Sequence, residues 1–191
     1  MSDADRDQWN WRYAERALTW EPSSWLVSIE TAIRPGGIAR RALDVACGNG
    51  KNAIWLARLG YAVDAWDISD VGLRTLQDRL AELMRDGAAL DVRLARTDLD
   101  TATIPPNTYD LILDTFFLDR RLFPLFLDGL RPGGVLVFET FADLGATDIR
   151  SIKSEYKLGP GELAAAFRSL DVLHHDEDAE RGTARLFARR R

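Results

Sequence analysis

The chain has 191 residues, 46% of them hydrophobic and 29% charged, with a net charge of -5. That length suits one domain whose core needs no covalent staples, since a chain of this size buries roughly 70% of its unfolded surface. The acidic balance argues against a nucleic-acid partner, the single cysteine excludes an intrachain disulfide, and no run of ~18 apolar residues is present to span a membrane.

The start of the chain, polar and acidic, is unlike a secretion signal, so a cytoplasmic protein is expected, as a monomer or homodimer. Residues 5–33 read as helical. Trp9, Tyr13 and Ala17 recur every four positions, which is one face of a helix. Pro22, Ser23 and Ser24 break that pattern and cap a second helix over 25–33, which Arg34-Pro35-Gly36-Gly37 ends. From Ala42 onward strands and helices alternate. A strand over 42–46 leads to a helix over 50–60 that buries Ala53, Ile54, Leu56 and Ala57 and stops at Gly60. A strand over 61–66 leads to a helix over 69–87, capped by Ser69, with Leu73, Leu76, Leu80, Leu83 and Met84 as its apolar stripe. Strands over 90–96 and 109–115 flank a loop. A helix over 119–130 is limited by Pro124, and the turn Arg131-Pro132-Gly133-Gly134 precedes a strand over 135–140. After a loop over 141–159 come a helix over 161–170 and two strands, 170–178 and 182–190, that close on each other as an antiparallel hairpin.

Such alternation predicts an α/β fold: a Rossmann-like, doubly wound, mostly parallel sheet of seven strands, the last antiparallel, with helices on both faces. Residues 1–191 are expected to form a single domain, with an N-terminal helical lid at 1–37 and the core at 38–191. Sheets of this type bind ligands outside the carboxyl ends of their strands. Gly48, Asp67, Asp98 and Asp114 all fall there.

The stretch ALDVACGNGKNAI (42–54) carries the main chemical signal. Bare backbone between a strand and a helix lets a ligand come close. Gly48 to Ala53 fit the loose dinucleotide pattern G-x-G-x-x-A, and Asp67 stands 19 positions after Gly48, near the spacing expected of a carboxylate on ribose hydroxyls. The pair indicates an adenosine-containing ligand. Asp44 narrows the choice. A carboxylate two residues before the turn repels a pyrophosphate and suits a cation. Together with Asp67, Asp98 and Asp114 it favours a positively charged cofactor without phosphate, and S-adenosylmethionine is such a molecule.

These residues resemble the class I S-adenosylmethionine-dependent methyltransferases. LDVACGNG resembles that family's first motif, VDAWDIS its second, RTDLD its third, and YDLILDT with LRPGGVLVFET its fourth and fifth strands. CGNGKNAIWLARLGYAVDAWDIS, FFLDRRLFPLF, VFETF and KLGPGEL are similar to the small bacterial branch that includes tellurite-resistance and thiopurine methyltransferase-like proteins. The resemblance covers residues 9–189. Ala46 replaces the family's first glycine, Lys51 stands where arginine is common, and Asp119 stands where relatives carry His or Gln. The resemblance implies S-adenosylmethionine as cofactor, with Asp44, Ala46, Cys47, Gly48 and Gly50 around the methionine moiety and Asp67 on the ribose. It places Ile68, Asp98 and Leu99 at the adenine, and Asp114 and Thr115 beside the methyl group. Asp114 reads equally as a structural acid bonded to the glycine loop.

Four of the six tryptophans lie in the first 25 residues. They suit a helix pair packed on the sheet or an aromatic lid, for which Tyr13 and Trp20 are the candidates. Phe116, Phe117 and Phe141 are candidates for an apolar acceptor pocket. No catalytic residue is evident; Asp114, Asp119 and Glu139 are the acids placed to serve as a base. Cys47 has no activating neighbour in sequence, and His174 and His175 lack further ligands for a metal site. The function expected is methyl transfer to a small-molecule acceptor, with a soft sulfur, selenium or tellurium nucleophile favoured because it arrives already ionised. Two alternatives stand beside it: a nicotinamide-dependent oxidoreductase, which lacks a Y-x-x-x-K pair here, and a non-catalytic cofactor-binding module.

Overall fold

The structure is a computed structural model that describes residues 3–15, 17–35 and 40–191. Gly36 and Gly37 of the expected helix stop lie outside these residues. The strands are β1 (Arg40–Val45), β2 (Tyr61–Asp67), β3 (Asp91–Arg96), β4 (Tyr109–Thr115), β5 (Leu130–Phe141), β6 (Asp171–Asp178) and β7 (Thr183–Arg189). Their order in the sheet is β3-β2-β1-β4-β5-β7-β6. The pairs β1–β2, β2–β3 and β4–β5 are parallel, and β7 runs antiparallel to both β5 and β6. This is the mixed sheet with a reversed last strand that the alternation of elements predicts. The chain divides into two compact units, Met1–Ala102 and Thr103–Arg191.

In the first unit, β1 and β2 are buried nearly throughout, as the apolar runs require. Helix α4 (Lys51–Arg58) buries Asn52 through Ala57. Helix α5 (Asp70–Arg85) begins at Ser69, whose hydroxyl accepts the Gly72 N–H at 3.0 Å. Leu73, Leu76, Leu80 and Leu83 are buried, but Met84 is 56% exposed and does not join the stripe. It lies at the rim of that stripe in the last turn, where a flexible side chain runs out into solvent.

The N-terminal residues form three short helices. Helix α1 (Asp3–Glu15) has no buried residue. Trp9 and Tyr13 stack with ring centroids 5.9 Å apart, while Ala17 lies beyond the helix and is exposed. The expected helix over 25–33 is broken at Ile29 into α2 (Ser24–Ser28) and α3 (Glu30–Ile33). Ser23 is the cap, accepting the Leu26 N–H. Trp25, Leu26 and Ile33 are buried, and the Trp55 indole donates to Glu30.

In the second unit, α6 (Phe123–Gly129) follows a 3-10 turn over Arg120–Leu122. Pro124 sits in its first turn, where a missing N–H costs nothing, so proline opens the helix instead of kinking it. Arg131–Gly134, expected as a turn, lies inside β5 as a bulge: the register steps from Tyr109↔Leu130 to Leu111↔Val135. The Arg190 backbone pairs with Gly133 and Gly134 there, which keeps the bulge in the sheet. Helix α7 (Glu162–Ala166) is shorter than expected. Phe123, Phe138 and Phe167 form the aromatic centre of this unit.

Candidate active site

In the first unit β1 carries Asp44 into the interior and then turns sharply. Ala46, Gly48 and Gly50 adopt φ of 52°, 59° and 77°. The Cys47 N–H donates to the Trp66 carbonyl and the Gly50 N–H to the Cys47 carbonyl, both at 2.9 Å. The family's glycine at position 46 thus has a backbone reason, and Ala46 holds a left-handed conformation that costs an L-residue roughly 1–2 kcal/mol. A Cβ on Gly50 would run into the Leu76 side chain, and one on Gly48 into the Tyr13 hydroxyl. Gly50 therefore serves helix packing as well as the turn, and Gly48 is the bare position that faces the lid residue.

Asp67, at the end of β2, is buried, and both its oxygens accept backbone N–H groups. Oδ2 takes Gly48 at 2.7 Å and Oδ1 takes Ser69 at 2.7 Å. Burial pushes its carboxyl up, and these N–H groups pull it back. Asp44 is fully buried, and neither of its oxygens has a hydrogen bond among the described residues. Burial, followed by the charge of Asp67, pushes its carboxyl up to about 8; the Ala53 N–H and the Lys51 ammonium oppose this. Burial, then the two acids, also hold the Cys47 thiol well above its ordinary value, so it is an un-ionised thiol rather than a nucleophile.

The other cofactor candidates of this unit surround that centre. Ile68 is half-buried and Leu99 is 3% exposed. Asp98 is half-buried, and its Oδ1 accepts the Asp100 N–H at 2.9 Å. The Thr97 N–H donates to the Asp67 carbonyl at 2.8 Å, joining the loops after β2 and β3. Trp20 lies under the Arg79 guanidinium of α5, 5.3 Å from the ring centroid. Asn49 of the glycine loop donates to the Thr19 carbonyl at 3.3 Å. The 17–20 segment is thereby tied both to the loop and to α5, through two partners that no sequence signal marked.

In the second unit Asp114 is 1% exposed and Thr115 is half-buried. Phe116 is 44% exposed at φ 57°, and its N–H donates to the Glu139 carbonyl at 2.7 Å. A bulky residue held left-handed is strained, and such strain gathers at functional sites. Phe116 and Phe141 stand 5.0 Å apart, ring to ring, and Phe117 is half-buried. Two of the three candidate bases are held by arginines. The Asp119 carboxylate accepts the Arg121 N–H at 2.9 Å and pairs with its guanidinium at 2.6 Å. Glu139 is buried and paired with Arg185 at 2.9 Å. Arg121 is two positions from Asp119, a local contact, whereas Arg185 reaches Glu139 across 46 positions and carried no signal in the sequence.

A family model for the tellurite resistance protein TehB matches residues 15–135, well over half of the chain. The chain belongs to the TehB family. A relative from Haemophilus influenzae, described as a probable S-adenosyl-L-methionine-dependent methyltransferase TehB, is 30% identical over 146 residues, which are 72% of this chain and 48% of that protein. A ubiquinone biosynthesis O-methyltransferase from Parvibaculum lavamentivorans is 31% identical over 125 residues, 62% of this chain and 47% of its own. The chain spans about half the length of the curated relatives it matches. The crystal structure of TehB from Haemophilus influenzae shares its fold, with a TM-score of 0.73 at 22% identity, over 97% of this chain and 67% of that one.

Proposed function

We propose that this TehB-family chain is an S-adenosylmethionine-dependent methyltransferase for a small-molecule acceptor with a soft sulfur, selenium or tellurium nucleophile. Asp44 carries the reading. A fully buried carboxyl whose oxygens lack a side-chain partner among the described residues, two residues before a glycine turn, is costly unless a ligand satisfies it. A pyrophosphate would oppose its ionisation, and an ammonium group would favour it. When bound, S-adenosylmethionine supplies an electrophilic methyl group on a sulfonium and an α-ammonium.

The chain's own residues then divide the work. Asp44, ionised, accepts from the ammonium, and Tyr13, which lies against Gly48, closes on the methionine moiety. A carboxylate offers about four acceptor positions; backbone N–H groups take part of those of Asp67, and the rest serve the ribose hydroxyls. Ile68, Asp98 and Leu99 serve the adenine. Tyr13 and Trp20 exclude water from above. Asp114 and Thr115 serve the methyl end, and Phe116, Phe117 and Phe141 offer apolar surface to an acceptor. With Asp119 and Glu139 held by arginines, an acceptor that is already ionised in water fits best, and the protein's contribution is alignment.

Calorimetric titration with S-adenosylmethionine, beside NADH and with Asp44→Asn and Asp67→Ala variants, tests the cofactor. Binding by the wild type, weakened in both variants, with NADH silent, is expected. NADH binding in its place overturns the reading. Release of S-adenosylhomocysteine in the presence of tellurite, selenite or a thiol tests the acceptor; binding without turnover on any acceptor would leave a binding module instead.

A further inference from the structure

Asn10, in the middle of α1, has no part in the roles assigned above. Its Oδ1 accepts the Ser69 hydroxyl at 2.7 Å and the Val71 N–H at 3.2 Å. Ser69 continues the line in two directions. Its Oγ accepts the Gly72 N–H at 3.0 Å, and its own N–H donates to Asp67 Oδ1 at 2.7 Å. Asp67 Oδ2 in turn holds the Gly48 N–H at 2.7 Å. A hydrogen-bonded path therefore runs from α1 to the Asp67 carboxylate and on to the glycine loop. One helical turn after Asn10, Tyr13 lies against both Gly48 and Gly72. Helix α1 has no buried residue, so burial does little to hold it, and this amide gives it a specific hydrogen-bonded attachment to the start of α5 beside the Tyr13 contact.

The chemistry of the contact is one-sided. An N–H at a helix start can only donate, so position 10 must supply an acceptor. Ser69 has one hydroxyl proton and gives it to Asn10, which leaves its lone pairs for Gly72. We propose that Asn10 is a positioning residue of the cofactor site: it sets Tyr13 over the glycine loop and, through Ser69, fixes the Asp67 carboxylate for the ribose. The inference rests on the cofactor reading above.

Two variants test it. Asn10→Ala removes the acceptor, while Asn10→Asp keeps it and adds a charge that the start of α5 favours. Titration with S-adenosylmethionine should show Asn10→Ala weakened by about tenfold, the effect of one lost partly buried hydrogen-bonded contact, and Asn10→Asp close to wild type. The thermal midpoint of the ligand-free protein should stay near wild type in both. Hydrogen exchange over residues 3–15 should slow on ligand binding in wild type and Asn10→Asp, and not in Asn10→Ala. Wild-type affinity in Asn10→Ala, or an Asn10→Asp as weak as Asn10→Ala, overturns the inference and leaves the cofactor reading standing. Failure of the wild type to bind overturns both together.

Discussion

Asp44 shows how much chemistry one placement can impose. Withdrawn from water, its carboxyl is pushed up to about 8 in the ligand-free protein. An ammonium ligand needs it ionised. Binding at pH 7 should therefore release close to one proton, seen as a binding heat that changes with the ionisation enthalpy of the buffer. The release should vanish above about pH 9 and be absent in Asp44→Asn. Two backbone positions make further predictions. Ala46→Gly removes a left-handed alanine and adds freedom to the unfolded chain, so a net gain of up to ~1 kcal/mol in urea unfolding is expected. Gly50→Ala meets both a φ of 77° and the Leu76 side chain, and a loss of about 2–3 kcal/mol is expected in the same measurement.

Elements take their limits from their ends. Pro124 opens α6, Ile29 separates α2 from α3, and Arg131–Gly134 is absorbed into β5 because Arg190 satisfies its backbone. The loop after β5 is tied at several points, among them the Asp143 N–H to the Leu158 carbonyl and the Lys157–Asp143 pair, and Arg120 adds a further tie. Arg120 donates to the carbonyls of Glu155 and Lys157 and pairs with the Glu162 carboxylate at 2.9 Å. That guanidinium holds the Glu162 carboxyl below its ordinary value. A depressed folded value means that the stabilisation is present above the ordinary value of 4.5 and is lost as pH falls through the depressed one. The groups are partly exposed, so Arg120→Ala should change global stability by less than about 1 kcal/mol. Limited proteolysis within residues 142–159 should nonetheless be clearly faster in that variant, and unchanged cleavage would remove Arg120 from this role.

At the scale of the whole molecule the two buried acids set the pH response. The folded values of Asp44 and Asp67 are both raised. The stability tied to their protonated forms is complete below the unfolded value of 3.8 and is lost as pH rises, for Asp44 through about 8. The thermal midpoint of the ligand-free protein should fall between about pH 5 and 9, and Asp44→Asn should flatten that fall. Under the proposed function, saturating S-adenosylmethionine should oppose the fall, as expected of a ligand of the folded state that favours the ionised acid.

Much of this molecule was legible in its residues. Period-two and period-3.6 patterns, with Gly and Pro as punctuation, are local signals, and they marked all seven strands and the reversal of the last. The glycine turn was legible because φ above zero is a property of single residues, and Asp67 because its spacing follows from one strand, one turn and one helix. Met84, the break at Ile29 and the bulge in β5 were not, since each depends on where neighbouring elements stop. Nor were the bonds of Asn10 to Ser69, 59 positions away, of Asn49 to Thr19, 30 away, or of Glu139 to Arg185, 46 away. The sequence by itself determined the order of elements and the glycine turn, because both rest on short-range geometry. Only the tertiary structure decided which acids are free to meet a ligand, because a hydrogen bond between distant residues leaves no trace in the neighbours of either one.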